Sequence, residues 1–305
     1  MKYVMKRLLS ALVVVFLTSI IVFCIVHLIP GDPAMVYAGA GAKQEQVENV
    51  RIEMGLDKPL VVQYINWAGG ILQGDFGTSL ATKQPILPVL MDKFHNTFIL
   101  SALGIVFAVG FGLLLGIVSA LKHNSFIDLI SMFIAIIGIS MPIFWVGMLL
   151  VMVFSVQMGW FPATGNDTWV SYILPTITIG MNSMAIITRM TRSSVLEVLN
   201  EDYMVTAVAK GLRGRTVILV HALKNAMIPI VTTIGMQFGY LMGGAVLTET
   251  VFVYPGLGRY LVDSLTKRDY PAIQASILLL AVVFVVVNFI VDSTYYKLDP
   301  KMKDA

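Results

Sequence analysis

The sequence predicts an all-α membrane protein that crosses the bilayer six times, and three observations carry that prediction. Of its 305 residues, 57% are hydrophobic and 13% charged, whereas a soluble domain carries about 25% charged residues. Several apolar runs exceed about 18 residues, the length that spans a bilayer as a helix. The remaining basic residues segregate by loop. A net charge of +3 is too small to imply a nucleic-acid partner. The single cysteine, Cys24, gives no disulfide framework and reads as a small apolar side chain.

Six segments qualify as spans: roughly 8–29, 97–121, 128–156, 173–190, 226–248 and 272–292. The first follows Lys2, Lys6 and Arg7, as a cleaved signal would. Its run of about 22 residues, however, is longer than a signal core of about 7–15, so an uncleaved span is expected. The third holds Pro142, which predicts a kink or a tilt. The fourth is the shortest and least apolar.

Six spans place both termini on one side. With the N-terminus inside, Lys2, Lys6, Arg7, Lys122, Arg189, Arg192, Lys210, Arg213, Arg215, Lys224, Lys297, Lys301 and Lys303 are all inside. The stretch 30–96 is too long to count in the charge rule. Without it, the outside keeps only Arg259, Lys267 and Arg268. Both termini are therefore expected in the cytoplasm. The organisation follows: 1–29, N-terminus and first span; 30–96, extracytoplasmic; 97–292, a five-span core with a cytoplasmic insert at about 191–225; 293–305, a cytoplasmic tail.

The outside stretch has its own pattern. Pro30-Gly31-Asp32-Pro33 is a turn that stops the first helix. Gln44 to Met54 places Val47, Val50 and Met54 at helical spacing. Pro59 to Leu72 does so with Leu60, Tyr64, Trp67 and Leu72, and Pro59 suits a helix start. Gly74-Asp75-Phe76-Gly77 is a further turn. These helices read either as a cap resting on the membrane or as a docking platform for an external partner.

In lipid, helices associate by close contact, so small residues four apart matter. The second span has Gly104, Ala108, Gly112, Gly116 and Ala120; the fifth has Gly235, Gly239 and Gly243. Such stripes serve packing within the chain or contact with a second membrane subunit. Charge within the spans is confined near their ends, at Asp128, Arg189, Glu249 and Asp292. No mid-membrane relay of the kind ion-coupled transporters use is visible. Neutral polar residues do occur, among them Thr178, Asn182 and Ser183 in the fourth span and Gln237 in the fifth. They serve interhelical hydrogen bonding or line a polar pathway.

No catalytic constellation appears. His27, His95, His123 and His221 are scattered, without metal-ligand spacing, and the chain lacks a phosphate-binding G-x-x-x-x-G-K-[ST] loop. No metal or cofactor site is expected in it.

The informative stretch is 202–231, DYMVTAVAKGLRGRTVILVHALKNAMIPIV, a basic, half-apolar insert between two long spans. Tyr203 to Lys210 reads as a short helix, with Gly211 as its C-terminal stop and Lys210 at the negative end of its dipole. A second helix runs from about Arg215 past Pro229 into the fifth span. This helix–corner–helix could fill a groove on another protein, or lie on anionic lipid through its arginines.

The insert resembles the cytoplasmic coupling segment of ABC importer permeases, E-A-A-x3-G-x9-I-x-L-P. With Gly211 on the motif glycine, Thr206 and Ala207 fall on the alanines and His221-Ala222-Leu223-Lys224 on the end. Val205 stands where the motif has glutamate, and Lys224 where it has proline. Leu28-Ile-Pro-Gly-Asp-Pro, Gly55-Leu-Asp-Lys-Pro-Leu, Gly74-Asp-Phe-Gly-Thr-Ser, Val251-Phe-Val-Tyr-Pro-Gly-Leu-Gly, Lys267-Arg-Asp-Tyr-Pro and Leu298-Asp-Pro extend the likeness over the chain. In this order they are similar to the first (B-type) permease of dipeptide, oligopeptide and nickel importers.

The resemblance implies a type I importer permease in a bacterial or archaeal cytoplasmic membrane. It implies pairing with a second homologous permease, two cytoplasmic ATPase subunits that carry ATP and Mg, and an extracytoplasmic binding protein. The implied cargo is a di- or oligopeptide, with nickel or metal–ligand complexes and glutathione as alternatives. Tyr203, Val205, Thr206, Ala207, Lys210, Gly211, Arg213 and His221 are the implied ATPase-coupling residues. Ala207 and Gly211 are expected at the contact itself, where a bulky side chain would clash.

Overall fold

The structure, a computed structural model, describes residues 2–28, 31–39 and 41–298. Residues 299–305 of the tail, with the Asp-Pro of the Leu298-Asp-Pro signal, lie outside the described residues, as does Pro30. In chain order the helices are α1 (Lys2–Leu28), α2 (Pro33–Ala38), α3 (Gln44–Glu53), α4 (Leu60–Leu72), α5 (Ile86–Leu121), α6 (Phe126–Ser140) and α7 (Ile143–Leu150). They continue as α8 (Ile173–Leu199), α9 (Asp202–Ala209), α10 (Gly214–Thr216), α11 (Leu223–Val251), α12 (Leu257–Lys267) and α13 (Tyr270–Leu298). No strand occurs among the described residues, only an isolated bridge between Thr78 and Pro85.

Five helical segments are long and apolar enough to cross a membrane, and a sixth span arises if a bent pair counts as one. That pair corrects the expectation for the third span. Phe126–Ser140 and Ile143–Gln157 meet at 107°, which is a break rather than a kink. The cause is local. A residue before proline is driven out of the helical region, and Met141 (ψ 133) and Pro142 (ψ 131) are both extended. Other boundaries also move. The second span's helix begins at Ile86, inside the stretch assigned to the outside, and the fourth runs to Leu199. Helix α12 occupies the outside segment that holds Arg259 and Lys267, where the apolar pattern gives no element.

The chain divides into two compact units, residues 1–97 with 255–286, and 98–254 with 287–305. In the first unit, Asp32 accepts a bond from Ala34 N at 3.0 Å and so caps α2, while Arg51 of α3 donates to its other oxygen at 2.6 Å. Buried Asp269 accepts from Ser79 Oγ and from Leu80 N, at 3.0 Å in the latter case. It thereby fastens the loop before α5 to the start of α13. Ile86, Leu90, Leu257, Ala272 and Ala275 form the core beside it.

In the second unit the small-residue stripe of α5 packs against α8. A Cβ added at Gly104 would sit 2.8 Å from Ile179. At Gly112 it would meet Met184 O at 3.0 Å, and at Gly116 Thr188 O at 2.7 Å. Ala108 is buried against Met184 and Ile187. Contact within one chain therefore accounts for this stripe. The α11 stripe splits. Gly235 meets Val291, Gly239 is buried, and Gly243 is exposed with nothing within 4 Å of an added Cβ.

Candidate functional site

Helix α9 starts with Asp202, whose charge suits the positive end of the helix. It ends where Lys210 N donates to Thr206 O at 3.0 Å and Gly211 turns at φ +76. That left-handed turn favours glycine. Helix α10 restarts the chain, a π turn over Val217–Ala222 follows, and α11 continues without interruption. The two arms share a small core of Met204, Ala207, Val217 and Ala222, against which Val198 and Leu199 of α8 pack. Asn225 Nδ2 donates to Tyr203 Oη at 2.8 Å and closes the far side. The elbow is thus braced to both α8 and α11.

The outer surface of the elbow is formed by Tyr203, Thr206, Lys210, Gly211, Leu212 and Arg213, all exposed, with His221 half-buried. The side chain of Val205 lies outside the described residues. Two expectations change here. Ala207 is only 8% exposed and faces the elbow's own core, so a bulky residue there would clash inside the chain. Gly211 has open space where a Cβ would go, and its constraint is backbone conformation.

Of the neutral polar residues of the spans, Asn182, Ser183 and Gln237 reach between helices and Thr178 bonds within its own. Ser183 Oγ of α8 donates to Gln237 Oε1 of α11 at 3.1 Å, and Asn182 Nδ2 lies 3.5 Å from Gly138 O of α6. Thr178 Oγ1 donates to Leu174 O in its own helix at 2.8 Å. Ser183 and Thr178 are buried, whereas Asn182 and Gln237 keep partial exposure.

Sequence reasoning missed the most highly bonded group near the elbow. Asp128, in the first turn of α6, accepts from Arg192 Nε at 2.8 Å and Nη2 at 2.9 Å, from Ser119 Oγ at 2.5 Å and from Asn124 N at 3.0 Å. Arg192 Nη2 also lies 3.0 Å from His123 Nδ1. The same Nδ1 lies 3.3 Å from Asp128 Oδ2; as an acceptor it meets the guanidinium, which can only donate, and as a donor it meets the carboxylate. The cluster ties the α5–α6 corner to α8, two turns before the elbow. In the sequence Asp128 stands as a charge near a span end and Arg192 as one of the cytoplasmic basic residues, but one sequence cannot pair residues 64 apart.

Residues 112–304 match the model of the binding-protein-dependent transport system inner membrane component, and residues 1–101 match its N-terminal companion. The chain belongs to this family of membrane permeases. It is 46% identical to the glutathione transport system permease proteins of Pectobacterium atrosepticum and Escherichia coli K12, over 99% of each chain. An amino acid ABC transporter crystallised with histidines matches at TM-score 0.57 and 15% identity, covering 69% of this permease and 94% of that chain. The MetNI methionine transporter, inward facing, matches at TM-score 0.51 and 17% identity, covering 70% and 96%. At that identity the solved structures speak for the fold alone. The protein is the multi-pass, inner-membrane permease subunit of an ABC importer, which works with a partner permease, an ATPase and a binding protein. ATP hydrolysis resides on separate subunits.

Proposed function

We propose that this permease pairs with a second, homologous permease, engages two ATPase subunits through the elbow at 202–225, and imports short peptides delivered by an extracytoplasmic binding protein. Glutathione, itself a tripeptide, is the first cargo to test. The observation that carries the cargo class is the 46% identity, end to end, with glutathione permeases. The elbow supports the coupling role because its exposed rim sets Lys210 and Arg213 beside Tyr203 and Leu212 while its inner face is braced to α8 and α11. Closure of the ATPase pair would move this rim. Because α11 continues directly from the elbow, the displacement passes to the helix that carries Gln237. Thr178, Asn182, Ser183 and Gln237 are the proposed pathway residues. The partial exposure of Asn182 and Gln237 makes these two the better candidates for cargo contact.

The test is uptake into proteoliposomes containing both permeases, the ATPases and the binding protein, with labelled glutathione and a labelled dipeptide. Saturable, ATP-dependent accumulation of glutathione is expected. Uptake that follows an ion gradient without ATP would refute the reading. In the same assay Gly211→Asp is expected to cut uptake at least about tenfold with normal membrane insertion, since φ +76 disfavours any side chain and aspartate opposes the basic rim. Gly214→Ala, where nothing lies within 4 Å and φ is ordinary, should leave uptake unchanged.

A further inference from the structure

We propose that the first unit holds a lipid site, in which an acyl chain of a bilayer glycerophospholipid lies in a pocket and Tyr270 donates a hydrogen bond to its ester carbonyl. A cavity of about 300 Å³ lies between the last turns of α1, the α3–α4 connection, α4 and the first turn of α13. That volume is at the lower end of the range for small-molecule sites. Phe23, Val26, Met54, Leu56 and Trp67 make its apolar walls, Asn66 and Gln274 bring neutral amides, and the His27 imidazole and the Gln63 amide lie against each other at 3.2 Å, Gln63 also donating to Leu56 O and Lys58 O. No aspartate, glutamate, lysine or arginine lines it.

The second observation is the hydroxyl of Tyr270. The residue is 6% exposed and lines the cavity, yet its oxygen has no hydrogen-bond partner among the described residues. Buried hydroxyls are rarely left unmet. The oxygen lies 2.9 Å from where a Cβ on Gly31 would stand. Gly31, another lining residue with φ +143, lets the hydroxyl approach the backbone there, and Arg268 Nη1 lies 3.2 Å from the same point.

The chemistry of the walls selects the occupant. A phosphate or carboxylate calls for arginine or lysine, and none is among the lining residues, Arg268 standing outside them beside Gly31. A neutral hydroxyl and neutral amides suit an ester carbonyl, and the aromatic and aliphatic walls suit methylenes. Access selects it as well. The pocket lies at the ends of two membrane-length helices, α1 and α13. Ile21, Ile25 and Leu28 of α1 and Leu60, Val61 and Ile65 of α4 stand exposed around it, as lipid-facing side chains do. Phe23 meets Tyr64 edge-on and Trp67 at a tilt, with centroid distances of 5.5 and 5.8 Å, and aromatics such as tyrosine and tryptophan favour the membrane boundary. Bilayer lipid is the molecule presented to this opening at the highest concentration.

The assembled importer, in vesicles of phosphatidylethanolamine and phosphatidylglycerol carrying a diazirine near the ester end of one acyl chain, provides the test. Photolysis is expected to label Met54, Leu56 or Trp67. Tyr270→Phe, which keeps the shape, should lower that labelling about fivefold, the equivalent of one neutral hydrogen bond. Leu56→Trp, which fills the cavity, should abolish it. Labelling confined to exposed Ile21, Ile25 and Ile65, or unchanged in Tyr270→Phe, would overturn the proposal. So would labelling displaced by soluble peptide, which would make the pocket a cargo subsite.

Discussion

Asp128→Ala is expected to destabilise the solubilised permease by about 3 kcal/mol, the lower end of the cost of breaking a buried ion pair. The lower end applies because Arg192 keeps 24% of its side-chain exposure while Asp128 keeps 8%. Removing the carboxylate strands Arg192, Ser119 Oγ and Asn124 N together. Arg192→Gln should cost about as much, because it leaves the carboxylate with neutral partners only. The double variant is then expected to lose less than the sum, with a coupling of about 1–3 kcal/mol. An apolar pair, Asp128→Leu with Arg192→Met, should recover only part of the loss, since buried Ser119 and the Asn124 amide remain without an acceptor. Thermal unfolding of the four proteins measures all of this. Additivity of the single losses would show that the bonds do not act as one cluster. Transport should fall in parallel, because the cluster holds the helix that leads into the elbow.

The second large effect lies in the contact of α5 with α8. Gly116→Ala is expected to cost about 2 kcal/mol, within the usual range for overpacking. Its Cβ would stand 2.7 Å from Thr188 O, and a backbone oxygen cannot rotate away as a side chain can. Gly116→Leu should prevent accumulation of folded protein. Gly110 lies on the same helix but is exposed, with nothing within 4 Å. Gly110→Ala should therefore be neutral or slightly stabilising, since glycine in a helix interior costs about 0.5–1 kcal/mol relative to alanine. Equal losses at 110 and 116 would mean that the stripe acts through helix propensity and not through contact.

The fold was legible where one local rule decides it. Apolar length located the spans, and Gly211 marked the end of α9 because a left-handed stop favours glycine. Pro59 opened α4. The rest needed information that composition does not carry. Pro142 announced a disturbance, but whether a helix kinks or breaks depends on what its two arms pack against. Helix α12 lies between two spans with mixed polarity, so length and hydropathy gave no reason to separate it from a loop. At the site, the insert's helix–corner–helix followed from spacing, but the inward turn of Ala207 did not. That orientation depends on Val217 and Ala222 closing over it from the other arm. The Asp128–Arg192 pair was invisible for a related reason: each charge alone resembles an ordinary solvated helix end.

The central claim is that the rim of the elbow is where the ATPase meets this permease. Site-directed cross-linking in the assembled importer tests it most directly, with Cys24→Ser as background and cysteine introduced by Leu212→Cys or Thr206→Cys. The account predicts adducts with an ATPase subunit whose yield changes between nucleotide-free and ATP-bound states, and none from Trp169→Cys before α8. Labelling of the elbow by lipid alone, with no ATPase adduct in either state, would contradict it.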